Sequence, residues 1–148
     1  MGAAAKLGVD LHGEIEGWLK HGTPPSSKQI TDSGILTEIP PPMGTGLTVE
    51  NVFAVRVDMD DGTVVGLWGF KDMELGSVVY DLKTKRDLLY AMSKEELSND
   101  LQACLYGMDN CLRTGRDTAT LRWVYLQSQG KRSEEHTSEL QSHHDLVC

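Results

Sequence analysis

Apolar and polar residues change rhythm several times along the chain, and each change predicts an element. Leu7, Leu11, Ile15, Trp18 and Leu19 recur at helical spacing, which predicts a short helix over 7–21. Gly8, Gly13 and Gly17 weaken it, each costing roughly 1 kcal/mol relative to Ala. Gly-Thr-Pro-Pro-Ser-Ser-Lys at 22–28 is turn and linker chemistry, so residues 1–28 read as a loose N-terminal extension. From Gln29 the rhythm turns to strand. Residues 30–39 read as a broken strand, interrupted at Asp32-Ser33-Gly34 and ended by Pro40-Pro41-Pro42, which cannot donate ladder hydrogen bonds. Met43-Gly44-Thr45-Gly46 continues as an open loop.

Val49, Val52, Phe53, Val55, Val57 and Met59 make the clearest strand, being β-branched or otherwise apolar. Asp60-Asp61-Gly62 then supplies the Asp-Gly turn of a tight hairpin, and residues 63–70 return as its partner. A fourth strand over 77–82 and a helix over 84–92 follow. Ser93-Lys94-Glu95-Glu96 is a capping box. Leu97, Leu101, Cys104, Leu105, Met108 and Leu112 then fall on one helical stripe facing the core, stopped at Gly115. Residues 118–127 lean toward strand by their β-branched and aromatic content. The fold class is therefore α+β: an antiparallel meander followed by at least one amphipathic helix, with a disordered C-terminal tail.

The last residues change the bookkeeping of everything else. Residues 132–148, Arg-Ser-Glu-Glu-His-Thr-Ser-Glu-Leu-Gln-Ser onward, read as a translated sequencing-library adapter, and are set apart as a fusion scar would be. On that reading His136, His143, His144 and Cys148 form no evolved metal cluster, and the body at 29–131 is a truncated α+β domain of something longer. The tail also carries Arg132 against Glu134, Glu135, Glu139 and Asp145, which is −3 of the chain's formal charge of −8.

Charge and composition narrow the function classes. With 14 Lys+Arg against 22 Asp+Glu in 148 residues, the chain repels phosphate backbones, so no nucleic-acid partner is expected. No apolar run approaches the ~20 residues of a membrane span, and residues 1–7 hold no secretory signal, which points to no membrane partner and a cytoplasmic setting. Cys104 and Cys111 lie two helical turns apart, about 10 Å by rise, beyond the ~7 Å a disulfide spans.

Candidate chemistry is sparse. Asp58, Asp60 and Asp61 lack the continuing ligands of a calcium loop and are better read as hairpin-turn residues. His12 and His21 lie in the weak N-terminal segment and read as solvent-exposed. Lys83, Lys85 and Arg86 read as a solvated basic turn, and Trp18, Trp68 and Trp123 as core or core-edge residues. No complete catalytic set, metal site or cofactor is visible, so enzyme status stays open.

One resemblance spans residues 29–70. Ile30-Thr31-Asp32, Ile39-Pro40, Val55-Arg56-Val57, Asp60-Asp61-Gly62, Val65-Gly66 and Trp68-Gly69 together resemble the opening of mandelate racemase/muconate lactonizing enzymes of the enolase superfamily. Phe70 stands where that family has Glu. The resemblance implies an N-terminal capping domain, inert by itself, whose intact protein abstracts a proton beside a carboxylate with Mg²⁺ held by a following barrel. It further implies a small carboxylate substrate contacted by Pro42, Met43, Gly44, Thr45 and Phe70. The other expectation is a small non-catalytic α+β module that binds a ligand or protein. The two differ over residues 84–127, mainly helical in the first and joined to the sheet in the second.

Overall fold

The computed structural model describes residues 2–127 and 142–147. It is an α+β fold in which one mixed sheet lies between two helical layers. Helix α1 spans Ala3–His21 and ends at Gly22, whose φ of 68° is the left-handed cap that glycine adopts freely. A short helix α2, Lys28–Thr31, and a 3₁₀ turn, Ile35–Thr37, follow. The strands are β1 (Leu47–Asp58), β2 (Val64–Leu75), β3 (Val78–Lys85), β4 (Thr120–Gln127) and β5 (Ser142–Val147), in spatial order β1-β2-β3-β4-β5. Neighbours are antiparallel except β3 and β4, which are parallel and joined through helices α3 (Lys94–Ser98) and α4 (Leu101–Thr114).

Each helical layer seals one face of the sheet. Leu11, Ile15, Leu19, Ile30, Ile35 and Ile39 pack on Met73, Tyr80, Leu82, Val124 and Leu126. On the other face Leu97, Ala103 and Tyr106 pack on Phe53, Val55, Val79, Leu121, Trp123 and Tyr125. The expected loose extension is therefore a core element. The helical spacing of its apolar residues is the reason: Leu11, Ile15 and Leu19 form one stripe at most 1% exposed, each contributing roughly 1.5–3 kcal/mol by burial. That outweighs the cost of Gly8, Gly13 and Gly17. Gly8 is also needed, since a Cβ there would meet Thr84 Oγ1 at 2.8 Å.

Other expectations need correction. Residues 30–39 are helical turns and not a strand, because Ser33 Oγ donates to the Ile30 carbonyl and accepts from Ile35 N, and Gly34 takes φ 76°. The expected helix over 84–92 is occupied by the end of β3 and a single 3₁₀ turn, Leu88–Tyr90, capped by Asp87. The capping box of Ser93 and Glu96 is present, but it starts a five-residue helix. A second cap, Asp100 accepting from Ala103 N at 2.9 Å, then starts α4. That break turns the predicted stripe outward: Leu97 is buried, whereas Leu101, Met108 and Leu112 are exposed and Tyr106, Asp109 and Asn110 face inward. Trp123 is a core residue, but Trp68 is 73% exposed. The hairpin forms as expected, with Asp61 accepting from Thr63 N and Gly62 at φ 83°. Of the expected disordered tail, 128–141 and 148 lie outside the described residues. Ser142–Val147 lies antiparallel along β4.

Candidate functional site

The register of β2 and β3 creates an unusual junction. Their pairing covers Leu75–Val78, Glu74–Val79 and Met73–Tyr80, and the next step would set Asp72 opposite Asp81. Like charges directly opposed destabilise a ladder, and the strands part there. Asp72 Oδ2 instead accepts from Leu82 N at 2.6 Å, so its carboxylate takes the place of a backbone partner.

A twist in the neighbouring pair aims these residues. Glu50 has a left-handed φ of 52°, and alternation slips around it. Leu47 and Val49 pack toward α1, but Phe53, Val55 and Val57 pack toward α4. Opposite them Met73 and Leu75 pack toward α1, whereas the Lys71 ammonium reaches Asp109 on α4. Such irregularities recur next to active sites, where they redirect a side chain.

Asp81 and Lys83 sit two apart on β3 and so share a face. Lys83 Nζ lies 2.7 Å from Asp81 Oδ2 and donates to Gln102 Oε1 at 3.0 Å. Gln102 Nε2 in turn donates to Tyr106 OH at 2.7 Å and lies 3.5 Å from Asp81 Oδ1. Tyr106 OH completes the chain by donating to the Phe70 carbonyl at 2.6 Å. Gln102 and Tyr106 are i,i+4 neighbours on α4, hence on one face. Burial and the nearby Asp81 charge push the Tyr106 phenol up to about 12, so it remains a neutral donor.

Asp81 is out of electrostatic balance. Only 2% of it is exposed, and its Oδ2 lies 2.7 Å from the Lys83 ammonium. Burial, then the Asp72 charge, push its carboxyl up to about 7 against the pull of Lys83. The fork thus sets two acids against one base, and the Lys83 ammonium is the partner of Asp81 Oδ2. That is the environment a bound cation corrects. Among the described residues no group of three or more His, Cys, Asp or Glu is gathered closely enough to hold a metal ion, so a cation here would rest on Asp72 and Asp81. Asp72 also lines a cavity of ≈ 30 Å³ between α1 and the sheet, with His12, Glu16 and Glu50. His12 is therefore half-buried at this cavity on a packed helix, not on a loose solvated segment.

Beside this fork, on the same strand, lies a balanced cluster. Buried Lys71 pairs with Asp109 and, at 2.6 Å, with Glu74, while Arg113 pairs with Glu74 and approaches Asp109 at 3.7 Å. Burial pushes Glu74 up, but hydrogen bonds from Lys71 and Arg113 outweigh it and hold the carboxyl below its ordinary value.

The residues expected to contact substrate do not share this site. Met43 and Gly44 line a shallow hollow with Leu19, Lys20, His21, Leu47 and Val49, beside Pro42 and Thr45 in the same loop; the Met43 amide donates to the Leu19 carbonyl. Phe70 stands apart on β2, 57% exposed. Lys83, expected in a solvated turn, is at the fork. The sequence signal that could point to Asp72, Asp81, Gln102 and Tyr106 is the presence of charged residues inside apolar strands. Asp-Leu-Lys spacing on β3 and Gln-x-x-x-Tyr spacing on the helix behind it add to that signal.

No protein-family model matches the chain, and no curated protein matches it. Among solved structures it is similar to the crystal structure of SSO0001, with a TM-score of 0.52 and 14% identity, over 96% of this chain and 51% of that chain. The chain thus spans about half the length of that structure, and the likeness is one of fold.

Proposed function

We propose that this chain carries the catalytic site of a divalent-cation-dependent phosphodiesterase acting on polynucleotides. The observation that carries the proposal is the Asp72–Asp81 fork with Lys83 at its side. Asp72 and Asp81 would hold the cation, which supplies charge neutralisation and polarisation of a phosphoryl oxygen when bound. Lys83, held by Gln102, would orient the attacking water and stabilise the negative charge that develops on phosphate oxygens. Tyr106 fixes Gln102, and the helical layers exclude bulk water from the Asp81 side. Lysine is a suitable point-charge binder for phosphate. An overall charge of −8 opposes loose binding to phosphate backbones, so association with substrate is expected to depend on the cation.

An enolase-type capping domain would carry 84–127 as mainly helix, and would place its chemistry on a following barrel. Here β4 lies inside the sheet, parallel to β3, which is the arrangement expected of a self-contained α+β module and not of the capping domain. The remaining alternative is a ligand-binding module without chemistry, and one assay separates the two. Purified protein is incubated with labelled oligonucleotide and Mg²⁺ or Mn²⁺. Cleavage is expected, abolished by chelation and reduced at least about 100-fold in Asp81→Asn and Lys83→Ala, a typical effect for losing one such electrostatic group. Cleavage at the wild-type rate in Asp81→Asn would remove the proposal.

A further inference from the structure

We infer that the outward face of α4 is the contact through which two copies of this chain pair, their α4 helices antiparallel about a two-fold axis. The inference goes beyond the phosphodiesterase reading and does not depend on it. An outer-layer helix normally turns charged and polar side chains to water. Helix α4 does not. At 3.6 residues per turn, Leu101, Cys104, Leu105, Met108, Cys111 and Leu112 fall within an arc of about 120°, and none of them is charged. Leu101 is 69% exposed, Met108 45% and Leu112 74%. Leu105 only partly joins the core beneath, and Cys104 and Cys111 are free thiols at the margin. The sheet side of the helix is sealed separately by Ala103 and Tyr106, so the outward arc is a second apolar face.

The spacing of this face fits a copy of itself. Leu101, Leu105, Met108 and Leu112 are separated by four, three and four residues, the stride of a two-helix seam. The four positions are symmetric about the midpoint between Tyr106 and Gly107. Antiparallel pairing about a two-fold there sets Leu101 against the partner's Leu112, and Leu105 against the partner's Met108. A two-fold contact uses one patch on both copies, so it requires such self-complementarity. Cys104 then flanks the partner's Cys111, and these small side chains let the helices close to the usual spacing of roughly 8–10 Å.

Charge favours the same occupant. A chain of net charge −8 resists self-association wherever its charges would meet. On α4 the only charged residues are Asp109 and Arg113, and both are engaged with β2, Asp109 with Lys71 and Arg113 with Glu74. The seam therefore adds no repulsion, and opposed helix dipoles attract. A partner with a charged anchor would find no counter-charge there. Six side chains cover far less than the roughly 800 Å² per partner of a standard interface, so the dimer is expected to be weak and concentration-dependent. Gln102 and Tyr106 stay bonded to Lys83 and the Phe70 carbonyl, so pairing leaves the fork as it is.

The test is sedimentation velocity of the full chain from micromolar to millimolar concentration, where a monomer–dimer equilibrium is expected. Leu112→Glu places a carboxylate in the seam at a 74% exposed site, so the fold should survive, as its thermal midpoint checks. Dimerisation should weaken at least about tenfold in this variant, and also in Leu101→Lys. The double variant, Leu101→Lys with Leu112→Glu, brings opposite charges together only in antiparallel pairing, and should recover most of the dimer. A monomer at every concentration overturns the inference. So does a dimer indifferent to Leu112→Glu, or one lost instead on Trp68→Ala, which would assign the contact to another face. Loss in both single variants without recovery in the double overturns the antiparallel pairing and the inference with it. None of these measurements uses cleavage, so failure of the catalytic reading is seen separately.

Discussion

Lys71 and Asp72 are neighbours on β2, yet they enter opposite kinds of electrostatic site. Lys71 joins Glu74, Asp109 and Arg113, where two bases face two acids and every carboxylate is paired. Asp72 lies near Asp81 and Lys83, where one base faces two acids and burial with the Asp72 charge holds the Asp81 carboxyl well above its ordinary value. A fold assembled for stability alone would balance both. The contrast separates a cluster that serves the structure from one that bears a cost for another purpose, as functional sites do.

The largest expected effect breaks the balanced cluster. Lys71→Ala leaves Asp109 and Glu74 without their shared buried partner, and a loss of about 3–5 kcal/mol in urea unfolding is expected. A loss below about 1 kcal/mol would mean that Arg113 alone suffices, and that the two clusters differ less than their geometry says.

Next in size is the response of the fork to a cation. At about pH 8, saturating Mn²⁺ should raise the thermal midpoint of the wild type, by an amount worth roughly 2.7 kcal/mol at a hundredfold excess over Kd. Asp81→Asn should show no rise. Lys71→Ala, if folded, should keep it, which would show that the clusters act independently.

The two sites also differ in the sign of their pH dependence. Asp81 keeps its proton in the folded state up to about 7, whereas the unfolded chain releases it near its ordinary value of 3.8. Its contribution to stability is therefore full in acid and is lost as pH rises through about 7. Glu74, held below its ordinary value, contributes in neutral solution and loses that contribution as pH falls through its folded value. Thermal melts of wild type against Asp81→Asn are expected to shift in favour of the variant between about pH 4 and 7. A constant gap would show that Asp81 is not frustrated.

The smallest effect concerns positioning. Gln102→Ala removes the acceptor that holds Lys83, and cleavage should fall about tenfold, with Lys83→Ala adding little to the double variant. Full additivity of the two would mean that Gln102 acts elsewhere.

Much of the fold is legible in the order of residues along the chain, and the candidate site is not. The stripe of Leu11, Ile15 and Leu19, the Asp-Gly hairpin and the Ser93–Glu96 capping box are local patterns, and each forms. The stripe from Leu97 to Leu112 misleads because the Asp100 cap restarts the helix, an event that local periodicity does not show. Tyr106, Asp109 and Asn110 then face inward because their partners lie on other elements: the Phe70 carbonyl, Lys71 and the Gly76 carbonyl. A periodicity of apolar residues misses such polar core positions for the same reason, since burial of a charge depends on a partner distant in the chain.

By itself the sequence determined those features whose causes lie within a few residues. Among them are the hairpin turn, the helical caps, the helical stripe of α1, and the shared face of Asp81 and Lys83 on any strand that contains them. Only the tertiary structure decided that the Asp72 charge acts on Asp81, that Gln102 reaches Lys83, and that Trp68 stays uncovered. Those outcomes follow from strand register and from how far α1 extends over the sheet. Both are set by the packing of segments far apart in sequence, where a shift of one residue would send every one of these side chains to the opposite face.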